Sequence, residues 1–334
     1  MDQKMRFGLI GTGGIAQTWV QAFEQSATAK LVAVGDVRPD AAKATAERIG
    51  GPAFDSYLAL SKEASVDAVV IATPPSTHPE IAMHFLEKKV HVLCEKPFCI
   101  DSASARRMVE ASRKSGAALT MASKFRYVED CVKARSIVAS GILGDVVLFE
   151  NSFTAYVDMT KRWNSDPKLS GGGVLIDNGT HSIDIMRYFL GPIAEVQVVE
   201  GKRIQGLPVE DTVHVFARSA GGAMGSIDLS WSINKELDRY ISLHGSKGTI
   251  VVGWKESKYR PSSSRDWVVF GKGYDKFQAF RSQIDNFTGS IHGRESLLIT
   301  NEDALASVEV IEAAHRSLGQ NAWVPVNGAA AGSR

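Results

Sequence analysis

The chain has 334 residues, of which 44% are hydrophobic and 22% charged, and its formal net charge is +1. This size and composition predict a globular protein of two domains with sizeable cores. The near-zero net charge argues against duplex nucleic acid and anionic membrane surfaces as partners. Three cysteines are too few for a disulfide framework, and we see neither a bilayer-spanning apolar run nor a secretory leader. We therefore expect a cytoplasmic protein.

The first part of the chain alternates short apolar runs with amphipathic segments. The apolar runs predict strands at 6–10, 31–35, 66–73, 90–94 and 117–122, and helices are predicted at 15–25, 40–49, 57–63, 79–88 and 102–115. Continuous apolar strands joined by helices are typical of a parallel sheet that is covered on both faces. We therefore predict an α/β domain with a doubly wound parallel sheet over residues 1–123.

From residue 124 onward the pattern predicts an α+β domain. Helices are predicted at 129–140, 173–190, 277–291 and 302–318, and strands at 146–154, 194–201, 212–217, 223–232 and 239–243. Turn residues between consecutive strands indicate a large open, mainly antiparallel sheet. This second domain is predicted over 124–327, and the small-residue tail at 328–334 is predicted to be disordered.

A glycine-rich turn between the first strand and the first helix has the spacing of a dinucleotide-binding loop. It reads Gly11-Thr12-Gly13-Gly14-Ile15-Ala16, which is G-x-G-x-x-A. The glycines permit a tight turn and close approach of a pyrophosphate, and the helix N-terminus supplies N–H donors. Asp36 ends the second strand, where a carboxylate can bind ribose hydroxyls and repel a 2′-phosphate. We therefore predict NAD as cofactor, while Arg38 leaves some use of NADP open.

Two further strand ends are predicted to contribute to the cofactor site, because doubly wound folds bind ligands at the carboxyl edge of the sheet. Thr73, Pro74 and Pro75 follow one apolar strand, and His78 is either a cofactor contact or a residue that begins the next helix. Cys94-Glu95-Lys96-Pro97 ends another strand. Glu95 and Lys96 are therefore expected close to the nicotinamide, although a lysine at this position is often only a solvated charge.

A helical pair follows a run of three glycines in the second domain. Asp177 and His181 are four residues apart, which places them on one helical face. Such a pair is either catalytic or a structural pair within a core, and the residues alone leave both interpretations open.

Taken in order, the glycine loop, Glu95-Lys96-Pro97 and Asp177-x-x-x-His181 resemble the Gfo/Idh/MocA family of oxidoreductases, the glucose–fructose oxidoreductase and inositol dehydrogenase group. The resemblance extends over almost the whole chain. It implies an N-terminal Rossmann domain, a C-terminal domain whose open sheet often carries oligomer contacts, and a catalytic group formed by Lys96, Asp177 and His181. Lys124 and Asn164 stand where many members have asparagine and arginine, which puts the identity of the substrate in doubt.

The implied reaction moves a hydride between nicotinamide and a secondary alcohol of a sugar, sugar derivative or cyclitol. His181 is expected to act as acid and base, because imidazole titrates close to neutral pH. Lys96 is expected to stabilise the alkoxide, and Asp177 to orient a substrate hydroxyl or His181. No metal site is predicted.

Substrate contacts are predicted at five positions, namely Lys124, Arg126, Trp163, Asp177 and His181. Trp163 either stacks on a sugar ring or packs in the core, and the basic residues leave an anionic substrate such as a sugar phosphate open. A homodimer or homotetramer is expected through the exposed face of the second sheet, with alternating apolar residues such as Val213 and Val215, or Ile227 and Leu229, on that face.

Two other classes of function are considered beside the dehydrogenase. One is a glycosidase of the same family, in which NAD is reduced and reoxidised within one cycle, so that free sugar is released without net NADH. The other is a sensor that binds NAD without turnover. The presence of Lys96, Asp177 and His181 together argues against a sensor, which has no need of all three.

Overall fold

The computed structural model describes residues 4–326 and contains two compact units. The first unit consists of the described residues up to Tyr127 and of Lys276–Leu305, and the second of Val128–Asp275 and the described residues from Ala306 onward. These units differ from the two contiguous predicted domains, because 276–305 belong to the first unit. The predicted tail at 328–334 lies outside the described residues. Within 4–326, no helix has both the length and the apolar character needed to cross a membrane.

The first unit contains a six-stranded parallel sheet with the strand order β3-β2-β1-β4-β5-β6. Its strands are β1 (Met5–Ile10), β2 (Ala29–Gly35), β3 (Ala53–Phe54), β4 (Ala68–Ile71), β5 (His91–Glu95) and β6 (Leu119–Ala122). Its helices are α1 (Gly14–Glu24), α2 (Pro39–Ile49), α3 (Tyr57–Glu63), α4 (His78–Glu87), α5 (Ser102–Ser115) and α9 (Lys276–Ile291). The doubly wound prediction is confirmed, and the two-residue strand β3 was not predicted.

Aromatic packing explains why α9 belongs to the first unit although it is distant in the chain. Phe280 of α9 contacts Trp19 of α1 with ring centroids 4.6 Å apart, and Phe287 lies 6.1 Å from Phe7 of β1. All four rings are buried in one hydrophobic cluster. Burial of rings of this size contributes strongly to stability, so α9 is an integral part of this core.

The second unit contains a nine-stranded sheet with the order β14-β13-β12-β11-β7-β10-β9-β8-β15. Its strands are β7 (Val146–Thr154), β8 (Ile193–Glu200), β9 (Thr212–Ser219), β10 (Met224–Ser230), β11 (Arg239–Gly245), β12 (Gly248–Gly253), β13 (Ser257–Pro261), β14 (Val268–Gly271) and β15 (Val324–Pro325). Its helices are α6 (Glu129–Ala139), α7 (Pro167–Ser170), α8 (Val174–Leu190) and α10 (Asn301–Gln320), which begins within the first unit. Among the described strands of this sheet only β7 and β10 pair in parallel, so the mainly antiparallel prediction is confirmed, although β12 to β15 were not predicted.

In the second sheet, the face that carries the alternating apolar residues is the covered face, whereas the sequence predicted it to be the open one. Helix α8 packs against β7, β9 and β10. The four apolar residues expected on the open face are buried at 3% exposure or less, and they are Val213, Val215, Ile227 and Leu229. The prediction that they form the exposed face is wrong, because an apolar row on a strand is the row that a covering helix buries. The open face therefore carries the alternate residues, among them His214 and Phe216.

Candidate cofactor and catalytic residues

The glycine loop leaves its backbone open to a ligand at the N-terminus of α1. Gly11 has φ of +88°, and a Cβ there would lie 2.8 Å from the backbone of Ala72, so a side chain is excluded. A Cβ on Gly14 would meet nothing within 4 Å, and one on Gly13 only the Arg38 guanidinium at 4.0 Å. The space beside Gly13 and Gly14, at the start of this helix, is thus open. This geometry fits the pyrophosphate of a dinucleotide.

Asp36 is the buried carboxylate at the end of β2. Its oxygens accept bonds from the backbone N–H and hydroxyl of Thr12 at 2.7 and 2.8 Å, and from the backbone N–H of Arg38 at 2.8 Å. The Arg38 guanidinium adds two bonds of 3.2 Å, with its own side chain 63% exposed. Burial opposes ionisation, but bonds from Arg38 and Thr12 outweigh it and lower the pKa of Asp36 to about 2. The carboxylate is therefore an anion that Arg38 partly neutralises.

His78 connects two of the predicted cofactor loops. It is fully buried at the start of α4, its Nε2 lies 2.8 Å from the carbonyl of Thr73, and its Nδ1 lies 3.0 Å from that of Pro97. Burial lowers the pKa of this imidazole, against the bonds to the three backbone carbonyls of Thr73, Phe98 and Pro97. His78 is thus the first residue of α4, and its ring contacts the segment after β4 at Thr73 and the segment after β5 at Pro97. The Thr73 hydroxyl is 2.7 Å from that of Thr77, within the turn formed by Pro75–Thr77.

Glu95 is the last residue of β5 and Lys96 follows it, at the carboxyl edge of the sheet. Glu95 is 6% exposed, and its carboxylate accepts bonds from the indole N–H of Trp19 at 2.8 Å and the backbone N–H of Lys96 at 3.1 Å. Burial raises the pKa of Glu95, against the charge of Lys96 and the bond from Trp19. The carboxylate is therefore engaged inside the unit, whereas Lys96 is only half-buried.

Lys124 and Arg126, both predicted substrate residues, differ in their environments. Both lie in the single turn Lys124–Tyr127 after β6. Lys124 is half-buried, with its ammonium group 5.2 Å from the centre of the Phe125 ring. Arg126 is 3% exposed and pairs with the carboxylate of Asp303 at 3.2 Å. The guanidinium of Arg126 is thus paired within the first unit, and its role in substrate binding stays a prediction.

Asp177, His181 and Trp163 lie in the second unit. Asp177 is half-buried in the first turn of α8, and His181 is one turn further on, 7% exposed, with its ring 6.5 Å from that of Phe153. The predicted helical face is thus present. Trp163 begins the turn Trp163–Ser165 and is 41% exposed, so it is not a core residue.

Glu210 is a residue of this region that sequence analysis missed. Its side chain accepts bonds from the backbone N–H groups of Gly173 at 2.8 Å and Leu175 at 3.1 Å, and its backbone carbonyl accepts one from Val174 at 2.9 Å. These three N–H groups lie at the N-terminus of α8, the helix that carries His181. A Cβ on Gly173 would lie 2.0 Å from the Glu210 carbonyl, which explains the last of the three glycines. No local pattern could indicate this cap, since the partners are 37 residues apart.

The predicted cofactor residues converge at one edge of the first sheet. Those at or after the carboxyl ends of β1, β2, β4 and β5 are Gly11, Thr12, Gly13, Gly14, Ile15, Asp36, Arg38, Thr73, Pro74, Pro75, Glu95 and Lys96. A parallel sheet of this order, a glycine turn that opens α1 and an anionic residue at the end of β2 define a dinucleotide-binding domain of the Rossmann type.

Comparison with known proteins identifies the family. A family model described as "Oxidoreductase family, NAD-binding Rossmann fold" matches residues 5–123, and one described as "GFO/IDH/MocA C-terminal domain" matches 131–251. The chain belongs to the Gfo/Idh/MocA family of oxidoreductases. The expectations of an enzyme and of NAD as cofactor are thereby confirmed, as is the resemblance seen in the sequence.

Relatives within this family include sugar and cyclitol dehydrogenases. Inositol 2-dehydrogenase of Rhizobium meliloti is 28% identical over 96% of this chain and 99% of its own, and inositol 2-dehydrogenase of Rubrobacter xylanophilus is 30% identical over 75% and 72%. Among solved structures, levoglucosan dehydrogenase in complex with NADH and levoglucosan aligns over 97% of this chain and 99% of its own, with a TM-score of 0.89 and 22% identity. This last similarity concerns the fold.

Proposed function

We propose that this protein is an NAD-dependent dehydrogenase that oxidises a secondary alcohol of a sugar, sugar derivative or cyclitol. The observation that carries the proposal is the placement of Lys96 after β5, at the strand ends that hold the dinucleotide-binding residues. Inositol and levoglucosan, the substrates named for the relatives, are both neutral polyols. Arg126, the most buried of the basic residues predicted to contact substrate, is already paired with Asp303. This pairing favours a neutral substrate over an anionic one.

Lys96, Asp177 and His181 would each have a separate role in the reaction. NAD, when bound, supplies the hydride acceptor. His181 would accept the hydroxyl proton during oxidation and return it during reduction. Lys96 would donate a hydrogen bond to the reacting oxygen and stabilise its developing negative charge. Asp177, one turn before His181 on α8, would orient a neighbouring hydroxyl or the imidazole.

The experiment is a substrate screen that follows the absorbance of reduced nicotinamide with myo-inositol, other inositols, aldoses, levoglucosan, sugar phosphates and nucleotide sugars. On the best substrate, His181→Ala should lower kcat by about 10²–10⁴-fold, the range of a positioned acid–base group. Lys96→Met should be at least as damaging. NAD affinity should hardly change in His181→Ala, because His181 is not among the predicted cofactor residues. His84→Ala is the matched control, since this histidine bonds Ser61 far along α4.

Four outcomes would contradict this proposal. Near wild-type turnover by His181→Ala would remove the histidine from the proton transfer, and near wild-type turnover by Lys96→Met would remove the lysine from the alkoxide. Release of free sugar from glycosides without net NADH would indicate instead the glycosidase with transient internal redox. NAD binding without turnover of any compound in the screen would indicate a sensor.

We also propose a homodimer or homotetramer that assembles through the open face of the second sheet. That face presents the exposed apolar side chains of Val199, Phe216 and Met224 among polar neighbours. Light scattering at micromolar concentration should therefore detect an oligomer, and Phe216→Lys should weaken it at least tenfold. Ile204→Lys is the control, because Ile204 is also an exposed apolar residue but lies outside the sheet strands. A monomeric wild type would refute this assembly.

A cytoplasmic location is part of the same proposal. All three cysteines are buried free thiols. Free thiols are typical of a compartment that keeps cysteine reduced.

A further inference from the structure

The connection 155–173 joins β7 to α8 and carries Trp163 in an exposed stretch at its middle. Both of its ends are bonded to a second connection, 201–211, which joins β8 to β9. Glu210 bonds the backbone at the end that enters α8, and Gln205 bonds the backbone at the end that leaves β7. One short segment of the second unit therefore anchors both sides of the exposed stretch.

The side-chain amide of Gln205 uses both of its polar atoms. Its oxygen accepts the backbone N–H of Met159 at 2.9 Å, and its nitrogen donates to the backbone carbonyls of Val157 and Trp231, both at 3.0 Å. A backbone N–H can only donate and a carbonyl can only accept, so these partners fix which way the amide faces. An ionised carboxylate lacks the donors and an ammonium group lacks the acceptor. The three partners together therefore suit an amide.

The backbone of Gln205 is held in turn by Asp211, which is fully buried. One oxygen of this carboxylate accepts the backbone N–H groups of Ile204 and Gln205 at 2.8 and 3.0 Å. Burial opposes the ionisation of Asp211, but bonds from Gln205 and Ile204 help to lower its pKa below the ordinary value. The backbone carbonyl of Asp211 also accepts the N–H of Trp231 at 2.8 Å. The glutamine is thus fixed at its own backbone.

The bond from Met159 to Gln205 lies four residues before Trp163. Met159 is 4% exposed, and its carbonyl accepts the backbone N–H of Arg162 at 3.1 Å. Arg162 directly precedes Trp163, whose carbonyl accepts the backbone N–H of Asp166 at 3.0 Å. The N–H of Met159 thus meets Gln205, while its carbonyl closes the turn that leads to the tryptophan. A change at Gln205 is therefore expected to reach the backbone of Trp163.

We propose that Gln205 is a positioning residue that holds the connection 155–173 in the conformation that presents the indole of Trp163 to the substrate. The inference rests on the proposed function and on the predicted substrate contact of Trp163, but the hold of Gln205 on the connection is measurable without turnover. Trypsin cleaves after Lys161 and Arg162, which are both exposed, and it needs the backbone around them to open.

The experiment measures the rate of trypsin cleavage at these two sites in the native protein, with peptide mass spectrometry as readout and cleavage after the exposed Lys88 as internal reference. Gln205→Met keeps the length of the side chain but removes its donor and acceptor. It should raise the rate about tenfold relative to the reference, because the open population grows when hydrogen bonds are lost. Gln205→Asn keeps an amide that is one methylene shorter and should raise the rate about threefold.

Gln278→Met is the matched control for this measurement. The amide of Gln278 also donates to a backbone carbonyl, that of Tyr127 at 3.0 Å, but both residues belong to the first unit. The variant therefore loses a comparable hydrogen bond without touching the connection 155–173, and its cleavage rate at the two sites should equal that of the wild type.

Turnover provides the second readout. With the best substrate of the screen, Gln205→Met should raise KM about tenfold and lower kcat less than about threefold, because it displaces a binding contact and leaves the acid–base group in place. Trp163→Ala should raise KM at least as much. The double variant should be no worse than Trp163→Ala alone, since Gln205 acts through Trp163. A residue that served only the fold would lower thermal stability, and its effect on KM would add to that of Trp163→Ala.

Cleavage within about twofold of wild type in Gln205→Met would overturn the proposal, and if that variant does not fold, the same result in Gln205→Asn overturns it. Additive effects on KM in the double variant would overturn the action through Trp163. Faster cleavage together with a wild-type KM in Trp163→Ala would support the hold on the connection and refute the substrate contact of Trp163. Lack of turnover with every compound of the screen would refute the proposed function, whereas the cleavage rates would still decide whether Gln205 holds the connection.

Discussion

Replacement of Glu210 by alanine removes the side-chain acceptor that closes the N-terminus of α8. The side chain is 5% exposed, and two backbone donors, those of Gly173 and Leu175, lose their partner in a buried place. Each bond to a charged acceptor contributes about 1.5–3 kcal/mol, so we expect a loss of about 3–5 kcal/mol in the free energy of unfolding. Glu210→Gln keeps an acceptor and should lose only about 1 kcal/mol.

Urea unfolding and thermal denaturation measure these losses, and the expected fall in Tm for Glu210→Ala is about 6–10 °C. Because α8 carries Asp177 and His181, kcat should fall as well, with NAD affinity unchanged. Glu195→Ala is the control, since Glu195 pairs with Arg218 at the surface and such pairs contribute at most about 1 kcal/mol. A loss below about 1 kcal/mol for Glu210→Ala would refute the cap as the support of this helix.

Two further predictions concern the Asp36 cluster. Arg38→Ala should lower kcat/KM for NADP relative to NAD about tenfold, because it removes the cation beside the carboxylate. Asp36→Ala should instead reduce the preference for NAD over NADP, because it removes the charge that repels a 2′-phosphate. Steady-state kinetics with both cofactors measure these changes, and a clear preference of the wild type for NADP would contradict the reasoning. Since the pKa of Asp36 is lowered to about 2, its ionisation stabilises the fold above about pH 4, and this contribution, about 2 kcal/mol, is lost as the pH falls toward 2. Asp36→Asn should lack this part of the acid sensitivity in urea unfolding at pH 7, 4 and 2.5, and equal losses in both proteins would count against it.

Features set by local spacing could be predicted from the sequence. The alternation of apolar strands and helices over 1–123 corresponds to β1, β2, β4, β5 and β6 and their helices, because these strands are buried along most of their length and are therefore mainly apolar. The glycine loop and Asp36 were found for a similar reason. A tight turn, a helix N-terminus and an acidic strand end impose residue types at fixed offsets.

Other features depend on partners that are distant in the chain. Arg126 was predicted to bind substrate, yet it pairs with Asp303, which is 177 residues away. The alternation of apolar and polar residues along β9 and β10 indicated two different faces of the sheet, but it did not indicate which face α8 would cover. Likewise, no spacing rule joins Glu210 to Gly173 or Trp19 to Glu95, because these contacts arise only when separate elements pack. Local geometry thus determined the elements and the cofactor loop of this protein, while tertiary packing decided which charges are buried, paired and held in place.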